Sequence, residues 1–418
     1  MKKKLYLILI PLLQLFLLNA DSEKLLTTAC QCKQMFFTPS IVATITNSPA
    51  YHYTPESAIF HTADRPLLRS YPTLKDKLPW ISLANLPTPI LHLTNLSSDF
   101  KIPHLYMKHD GKTSTPVGGN KLRKLELLFA DALMQGARHI ITFGCAGSNH
   151  ATTTAFHAQK LGFSCSLFLK NQPNSPVVKN NLLINAACDA QIFFYPSEEL
   201  RRLGALNEFV KRSQEDGIFP YVIFTGGSSP LGAIGYVNAI FELKEQIAQG
   251  IMPEPDYIYC AAGSLGTLSG LLIGLRACGL KTKLVPVAVE PDEYMVPLLK
   301  LATLTNDLLH KLDPKFPLFN YTSDDVSFNM NFVGPDYGVL IPEAQATITI
   351  FKEKEGIALE GTYTGKAAAA LLEDISAHPE LRQKVILFWN TFGIEEQATP
   401  PQTYTTLPKP LHHYFEEH

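Results

Sequence analysis

Nine consecutive residues, Gly118-Gly119-Asn120-Lys121-Leu122-Arg123-Lys124-Leu125-Glu126, hold the densest potential for chemistry in this chain. The two glycines let the backbone turn sharply or come close to a ligand. Lys121 follows at once, where a helix begins, and Leu125, Leu127, Leu128, Phe129, Ala132 and Leu133 make that helix apolar enough to pack. A lysine held in a dry pocket has its pKa lowered by desolvation, and its neutral amine is a nucleophile or a Schiff-base former. Taken alone, the same residues also read as a Lys-Arg-Lys cluster on a helix surface. Three stretches further along weigh against that bland reading.

The first is Gly147-Ser148-Asn149-His150. Ser148 or Asn149 reads simply as a helix N-cap; the functional alternative turns the hydroxyl, amide and imidazole toward a bound substrate or cofactor. His157, two turns on, reads as a packing residue. The second is Gly263-Ser264-Leu265-Gly266-Thr267. Backbone N–H groups of a glycine-rich loop, with a helix N-terminus behind them, bind phosphate, and Thr267 adds a hydroxyl donor. A dinucleotide-binding turn is the alternative, although the third glycine is missing and the motif stands late in the chain; a plain tight turn is the null case. The third is Tyr363-Thr364-Gly365-Lys366, preceded by Pro335-Asp336-Tyr337-Gly338.

The elements that must position these residues alternate. Strands are expected at 105–108, 139–144, 165–169, 191–195, 221–225, 257–261, 284–289 and 385–389. Helices are expected at 149–161, 177–188, 198–216, 233–249, 268–278, 344–356 and 365–376. Residues 86–90 read as a rigid extended entry and residues 109–111 as a turn. Strand and helix alternating through short loops predict α/β architecture with parallel sheets covered on both faces. Ligands of such sheets sit at the carboxyl ends of strands. The lysine stretch, residues 144–150 and residues 263–267 all fall at such ends, so they are expected to converge on one pocket.

The 418 residues are 46% apolar and 18% charged, which marks a globular chain with a large core. A formal net charge of -2 gives no electrostatic case for nucleic acid. Cys145, Cys165, Cys188, Cys260 and Cys278 lie in or beside apolar elements and read as buried small hydrophobes, with no metal-ligand cluster or disulfide framework. Lys2, Lys3 and Lys4 precede an apolar run at 5–18, interrupted by Pro11 and Gln14, with Ala20 near a plausible cleavage point. This resembles a bacterial secretory signal peptide and is short for a spanning helix, which needs about 20 residues. Export to the periplasm or medium follows, with residues 1–20 engaging the export machinery or membrane. An uncleaved anchor and a misassigned start are the alternatives, the latter leaving a cytoplasmic protein. Residues 21–77, rich in Thr, Ser and Pro, are expected to form an irregular arm that includes Cys30 and Cys32.

As a set, Gly-Gly-Asn-Lys-Leu-Arg-Lys-Leu-Glu, Gly-Ser-Asn-His, Gly-Ser-x-Gly-Thr and Tyr-Thr-Gly-Lys resemble the pyridoxal-phosphate enzymes of the D-cysteine desulfhydrase and 1-aminocyclopropane-1-carboxylate deaminase family. The motifs occur in the same order over roughly residues 78–393. The resemblance implies a tryptophan synthase β-like, fold type II architecture of two three-layer α/β/α domains. The large domain is expected at 78–122 and 236–418, and the small inserted one at 123–235. It further implies a homodimer and a small amino-acid substrate.

By the same resemblance, Lys121 would form the Schiff base with pyridoxal phosphate and, once freed, take the α-proton. Lys124 and the loop Gly263, Ser264, Leu265, Gly266 and Thr267 would hold the phosphate. Asn149 would bond the ring 3′-oxygen, and Ser148 would touch the substrate carboxylate or assist proton transfer. His150 would stand beside them in the substrate site. Tyr337 and Tyr363 would be active-site tyrosines, and Thr364 would face the pyridine nitrogen. Deaminases of the family usually carry Glu at the Thr364 position and Gln at the His150 position, so both residues point to the desulfhydrase side. The implied reaction is β-elimination of an amino acid to pyruvate, ammonia and sulfide. A cyclopropane-opening deaminase and a non-catalytic ligand-binding relative are the other readings. The chain departs from the family pattern at Glu360-Gly361-Thr362 (usually Asp-Pro-Val), at Asn390-Thr391-Phe392-Gly393 (usually His-Thr-Gly-Gly) and at Thr152, where arginine is common.

Overall fold

Two sheets organise the computed structural model, which describes residues 64–394 and 403–416. The signal-like segment, Cys30, Cys32 and most of the expected arm lie outside the described residues. The strands are β1 (Ile90–His92), β2 (Leu105–His109), β3 (His139–Cys145), β4 (Ser164–Lys170), β5 (Gln191–Tyr195), β6 (Tyr221–Ile223), β7 (Tyr257–Ala262), β8 (Lys283–Ala288) and β9 (Ile386–Asn390). One sheet runs β1-β2-β9-β7-β8 and the other β5-β4-β3-β6. Every pair is parallel except β1 with β2. The last strand in sequence enters the middle of its sheet, with Phe388 opposite Met107 on one side and Tyr259 on the other. All five of its residues are buried, as expected of an unbroken apolar run in a parallel sheet.

Local sequence sets the helix ends. Ser148, Ser175, Ser197 and Ser229 each accept the N–H of the third residue on, opening helices Asn149–Lys160, Pro176–Ala187, Glu198–Asp216 and Pro230–Ala248. Left-handed glycines at 217, 279 and 356 close Glu198–Asp216, Gly266–Cys278 and Pro342–Glu355. Helix Pro230–Ala248 packs on both Gly266–Cys278 and Lys121–Met134. The five cysteines of the described core are buried and free.

Three features differ from the sequence expectation. Helix Met295–Leu312 was not anticipated, because its periodicity is scrambled. Thr305 and Asn306 are buried while Val296 and Leu304 are exposed, and the two polar residues are satisfied by the Leu301 and Pro317 carbonyls. The strand expected at 221–225 stops at Ile223, where Thr225–Gly227 turns with positive φ at both glycines. The described end of the arm is ordered: helix Pro66–Ser70 and the 3-10 turn Pro72–Asp76 bury Leu67, Leu68 and Leu74. Glu126 anchors it, accepting from Arg65 at 2.5 Å and from Trp80 Nε1 and the Leu83 and Ala84 N–H groups at 2.8 Å each. Four donors offset the desolvation of a wholly buried carboxylate. Among the described residues, no helix is long and apolar enough to cross a membrane.

Candidate active site

Helix Lys121–Met134 starts against the loop that follows β9. Gly118 N–H donates to the Gly393 carbonyl at 2.8 Å and Asn120 N–H to the Thr391 carbonyl at 3.0 Å. Gly119 has φ +93, and a Cβ there would lie 2.8 Å from the Thr391 carbonyl oxygen, so the approach requires glycine. Asn120 then works in two directions. Its Oδ1 accepts from Lys121 Nζ at 2.9 Å and its Nδ2 donates to Thr267 Oγ1 at 3.0 Å. The lysine and the glycine-rich loop are thus joined through one amide. Lys121 Nζ lies 5.7 Å from the centre of the Tyr363 ring. Burial lowers its pKa to about 8, against the opposing pull of Glu360 and the Cys260 thiol.

Lys124 and His150 lie behind this first layer. A Cβ on Gly227 would be 3.5 Å from Lys124 Cβ and 3.7 Å from His150 Cε1. Lys124 is held well below the usual ammonium range, first by burial and then by the charge of Lys121; no carboxylate is among the groups acting on it. The Thr142 hydroxyl donates to the Ile223 carbonyl at 2.8 Å, so His150 Nε2, 2.9 Å away, donates to that hydroxyl. Burial, then Lys121 and Lys124, push the imidazole well below its ordinary value, so it is neutral. His150 is buried and bonded to the middle of β3.

The loop 263–267 meets a second glycine turn. Leu265 has φ +69 and gives helix Gly266–Cys278 no side-chain cap. Gly266 N–H donates to Ser228 Oγ at 3.1 Å, and Ser228 Oγ donates to Ser264 Oγ at 2.9 Å. A Cβ on Gly226, at φ +70, would fall 1.9 Å from Ser264 Oγ. Ser228 is a candidate site residue that the sequence reading passed over. Its signal in the sequence is a glycine pair followed by two serines, Gly226-Gly227-Ser228-Ser229, at a strand end.

The tyrosine hydroxyls of Tyr337 and Tyr363 are hydrogen-bonded, with ring centres 6.0 Å apart at 70°. Tyr363 Cε1 lies 3.0 Å from where a Gly263 Cβ would stand. Burial raises both phenol pKa values, so both hydroxyls keep their protons. Glu360, noted in the sequence only as a departure, caps helix Thr364–Ala377. It accepts from the N–H groups of Thr362, Tyr363 and Thr364 at 2.8 Å each. Thr364 Oγ1 accepts the Glu360 N–H at 2.9 Å, so its hydroxyl is engaged locally. Lys366 Nζ donates to the Val289 carbonyl at 2.7 Å and serves the fold.

Ser148 takes the N-cap role, accepting from Ala151 N–H at 3.2 Å. Asn149 Oδ1 accepts from Asn181 Nδ2 at 3.0 Å. Neither bonds Lys121; their loop is tied to the tyrosines through Gln172. Gln172 Oε1 accepts the Gly147 N–H at 2.9 Å, and its Nε2 lies 3.5 Å from the Cβ position of Gly338, next to Tyr337. Lys121, Thr267, Gly263 and Tyr363 therefore form one contact group. Lys124 and His150 lie beneath it, and Ser148 and Asn149 form a separate wall.

A lowered-pKa amine, a second buried amine that no carboxylate balances and an uncapped helix N-terminus in a glycine turn suit one kind of ligand. These residues fit an aldehyde that carries a phosphate, which defines an enzyme working through pyridoxal phosphate. The family model described as "Pyridoxal-phosphate dependent enzyme" matches residues 81–391, and the chain belongs to that family. It is 34% identical over 328 residues to a D-cysteine desulfhydrase of Klebsiella pneumoniae, covering 76% of this chain and 94% of that protein. It is 36% identical over 337 residues to a D-cysteine desulfhydrase of Yersinia pestis, covering 77% and 96%. A crystal structure of an ACC deaminase homologue superposes with a TM-score of 0.66 at 31% identity, covering 80% of this chain and 97% of that one. The fold is accordingly that of the fold type II pyridoxal-phosphate enzymes.

Proposed function

We propose that the protein is a lyase that eliminates a β-thiolate from D-cysteine or a similar amino acid. With one water, cysteine gives pyruvate, ammonia and hydrogen sulfide. The observation that carries this reading is the Lys121 amine, lowered to about 8 and facing the Tyr363–Tyr337 pair. Pyridoxal phosphate, when bound, supplies the electron sink for the pair left on the α-carbon.

The chain's own residues do the rest. Lys121 would carry the cofactor and then, as a free amine near neutrality, take the α-proton. Asn120 holds that amine by its Oδ1. Lys124 and the N–H groups from Gly263 to Thr267, joined by the Ser228 hydroxyl, would bind the phosphate. Asn149 would donate to the ring oxygen, and Thr364 would face the pyridine nitrogen. Ser148 would meet the substrate carboxylate in this reading, and His150 would back the substrate site from beneath. The phenols of Tyr337 and Tyr363, which burial keeps protonated, could donate hydrogen bonds to the substrate or the leaving thiolate.

The reading divides the chain at 123 and 235 into a small inserted domain and a large one, each built on one of the two sheets. It also takes the protein as a homodimer exported by its basic-then-apolar start.

The second reading, a cyclopropane-opening deaminase, is favoured by the likeness to the ACC deaminase homologue. Thr364 in place of an acid weighs against it. Purified holoenzyme given D-cysteine, L-cysteine and 1-aminocyclopropane-1-carboxylate in turn separates the two. Sulfide and pyruvate released in equal amounts from D-cysteine are expected. Turnover of the cyclopropane alone would transfer the assignment to the deaminase, and turnover of none would leave a ligand-binding relative.

A further inference from the structure

We propose that Asn181 is a positioning residue that fixes which end of the Asn149 amide faces the cofactor. The inference rests on the reading that Asn149 meets the ring oxygen of pyridoxal phosphate.

Asn181 lies in helix Pro176–Ala187 and is wholly buried. One end of its amide is 2.9 Å from the Gly147 carbonyl oxygen and 3.0 Å from the Asn149 side chain. A carbonyl oxygen only accepts, so the end facing Gly147 is the NH2 group. That group has two protons. One goes to Gly147, and the other goes to Asn149, whose facing atom must therefore accept and is Oδ1. Asn149 is left with its own NH2, two donors, for the pocket. A side-chain amide is otherwise symmetric enough to sit either way round. Here a backbone carbonyl sets the first amide and the first amide sets the second. The flipped Asn149 would bring two NH2 groups together and present an acceptor to a ring oxygen that itself only accepts.

The NH2 end of Asn181 holds the Gly147 carbonyl and the Asn149 side chain, and its other end holds nothing. Its Oδ1 has no hydrogen-bond partner, and neither amide atom of Asn185, one turn further along the same helix, has one. Both side chains are buried. An orphaned acceptor in a core is unfavourable compared with an aliphatic side chain of similar size. The NH2 end of Asn181 is the part that is used, and what it does is orient Asn149.

The test uses the full chain, freed of cofactor and titrated with pyridoxal phosphate. Asn149→Ala, Asn181→Leu and the double variant are compared for cofactor Kd, for the visible absorbance maximum of the loaded protein and for the melting temperature of the apo form. Each single variant is expected to raise Kd by about tenfold, in the range for one hydrogen bond to a charged group. The double variant is expected to show about the same tenfold rise, because both residues act through one contact. The absorbance maximum, which reports hydrogen bonding at the ring oxygen, is expected to move alike in all three; loosened packing alone would not move it. If Asn149→Ala changes neither Kd nor spectrum, Asn149 does not meet the cofactor and the underlying reading falls. If Asn149→Ala changes both while Asn181→Leu changes neither, or if the two losses multiply to about a hundredfold, the positioning role is overturned and the underlying reading stands. Should Asn181→Leu not fold, Asn181→Ser supplies the same comparison, since one hydroxyl proton cannot serve both acceptors.

Discussion

Arg123 and Lys124 are neighbours on one helix, both almost fully buried, and their surroundings are opposite. Arg123 sits in a neutralised network of two cations and two carboxylates. It donates to Asp110 Oδ1 at 2.8 and 3.0 Å, to Glu242 at 2.9 Å through both terminal nitrogens, and to Thr88 Oγ1 at 2.8 Å. Lys108 Nζ adds bonds of 2.6 Å to Glu242 and Gln246, and Trp389 Nε1 and the Tyr236 hydroxyl complete Asp110. Burial works against the charge on Glu242, but Arg123 and Lys108 outweigh it and hold the carboxyl at about 2. Around Lys124, the neighbouring charge is the second amine Lys121, and the Cys260 thiol, pushed up to about 12 by burial, keeps its proton. Removing two charges from water is tolerable when they face each other with their hydrogen bonds filled, and unfavourable when one stands alone. The first cluster is complete without any ligand; the second is electrostatically complete only when an anion enters. The helix carries the fold on one side and the site on the next.

The largest effect expected is on turnover. On the proposed reading Lys121→Ala would remove the attachment point and the base together, and the rate should fall by ~10⁴-fold or more. The apo protein should melt within a few degrees of wild type. A variant with appreciable turnover would move the chemistry to Lys124.

Breaking the neutralised cluster should instead affect folding. Glu242→Ala strands Lys108 in the core and leaves Arg123 with Asp110 as its one carboxylate, and should lower stability by about 3–5 kcal/mol, read from urea denaturation of the apo form. A loss below about 1 kcal/mol would mean that the network does not hold the helix. Lys124→Met should act with the opposite sign. It removes a buried amine without a carboxylate partner, so the apo form should be as stable as wild type or more so. Loss of a charged contact to the phosphate should weaken cofactor binding by about 1.5–3 kcal/mol, measured by titration. If Lys124→Met destabilises the apo form as much as Glu242→Ala does, the two clusters are alike and the comparison collapses.

The fold class and the lysine stretch of the candidate site were legible in the sequence, and the Arg123 network was not. Lysine after two glycines at a helix start is a local pattern, and the strand-end rule correctly brought it together with Gly263 and Thr267. The Arg123 network depends on pairing across distance: Glu242 is 119 residues from Arg123, and Trp389 is 279 from Asp110. A charged residue in an apolar stretch carries no mark of which partner will meet it. Strand order is hidden for a similar reason, since nothing in β9 itself says that it enters between β2 and β7. Side-chain orientation was the third gap. The sequence offered Ser148 as a helix cap and, by resemblance, Ser148 and Thr364 as site residues; their hydroxyls bond to backbone within four residues. Ser228 and Glu360 were passed over because a turn and a departure from a pattern gave no reason to expect a hydroxyl bridge or a helix cap.

The smallest effect is the pH dependence of the apo protein, and it separates the clusters by pH window. Glu242 titrates near 2 when folded against 4.5 when unfolded, so its stabilisation is present above about pH 4.5 and is lost as pH falls toward 2. The amines give the same slope in a higher window, where it reports a penalty on their charged form and not a gain. Lys121 titrates at about 8 when folded against 10.5 when unfolded, and Lys124 is displaced in the same direction. Between those values the unfolded chain binds more protons than the folded one, so stability rises with pH across about 8 to 10.5. His150, displaced downward, adds a fall in stability on the acid side of 6.5. Lys108 is also lowered to about 8 and contributes to the alkaline rise, so wild type alone does not isolate the site. The useful quantity is the difference between wild type and the double variant Lys121→Met with Lys124→Met. Because Lys121 is only half-buried, that difference should be on the order of 1 kcal/mol across the window. It should shrink when saturating phosphate-bearing cofactor meets the lysines. Urea midpoints of both proteins at about pH 7.5 and about pH 10 measure it, and equal changes in the two would show that the lysine pair stores no electrostatic strain for a ligand to relieve.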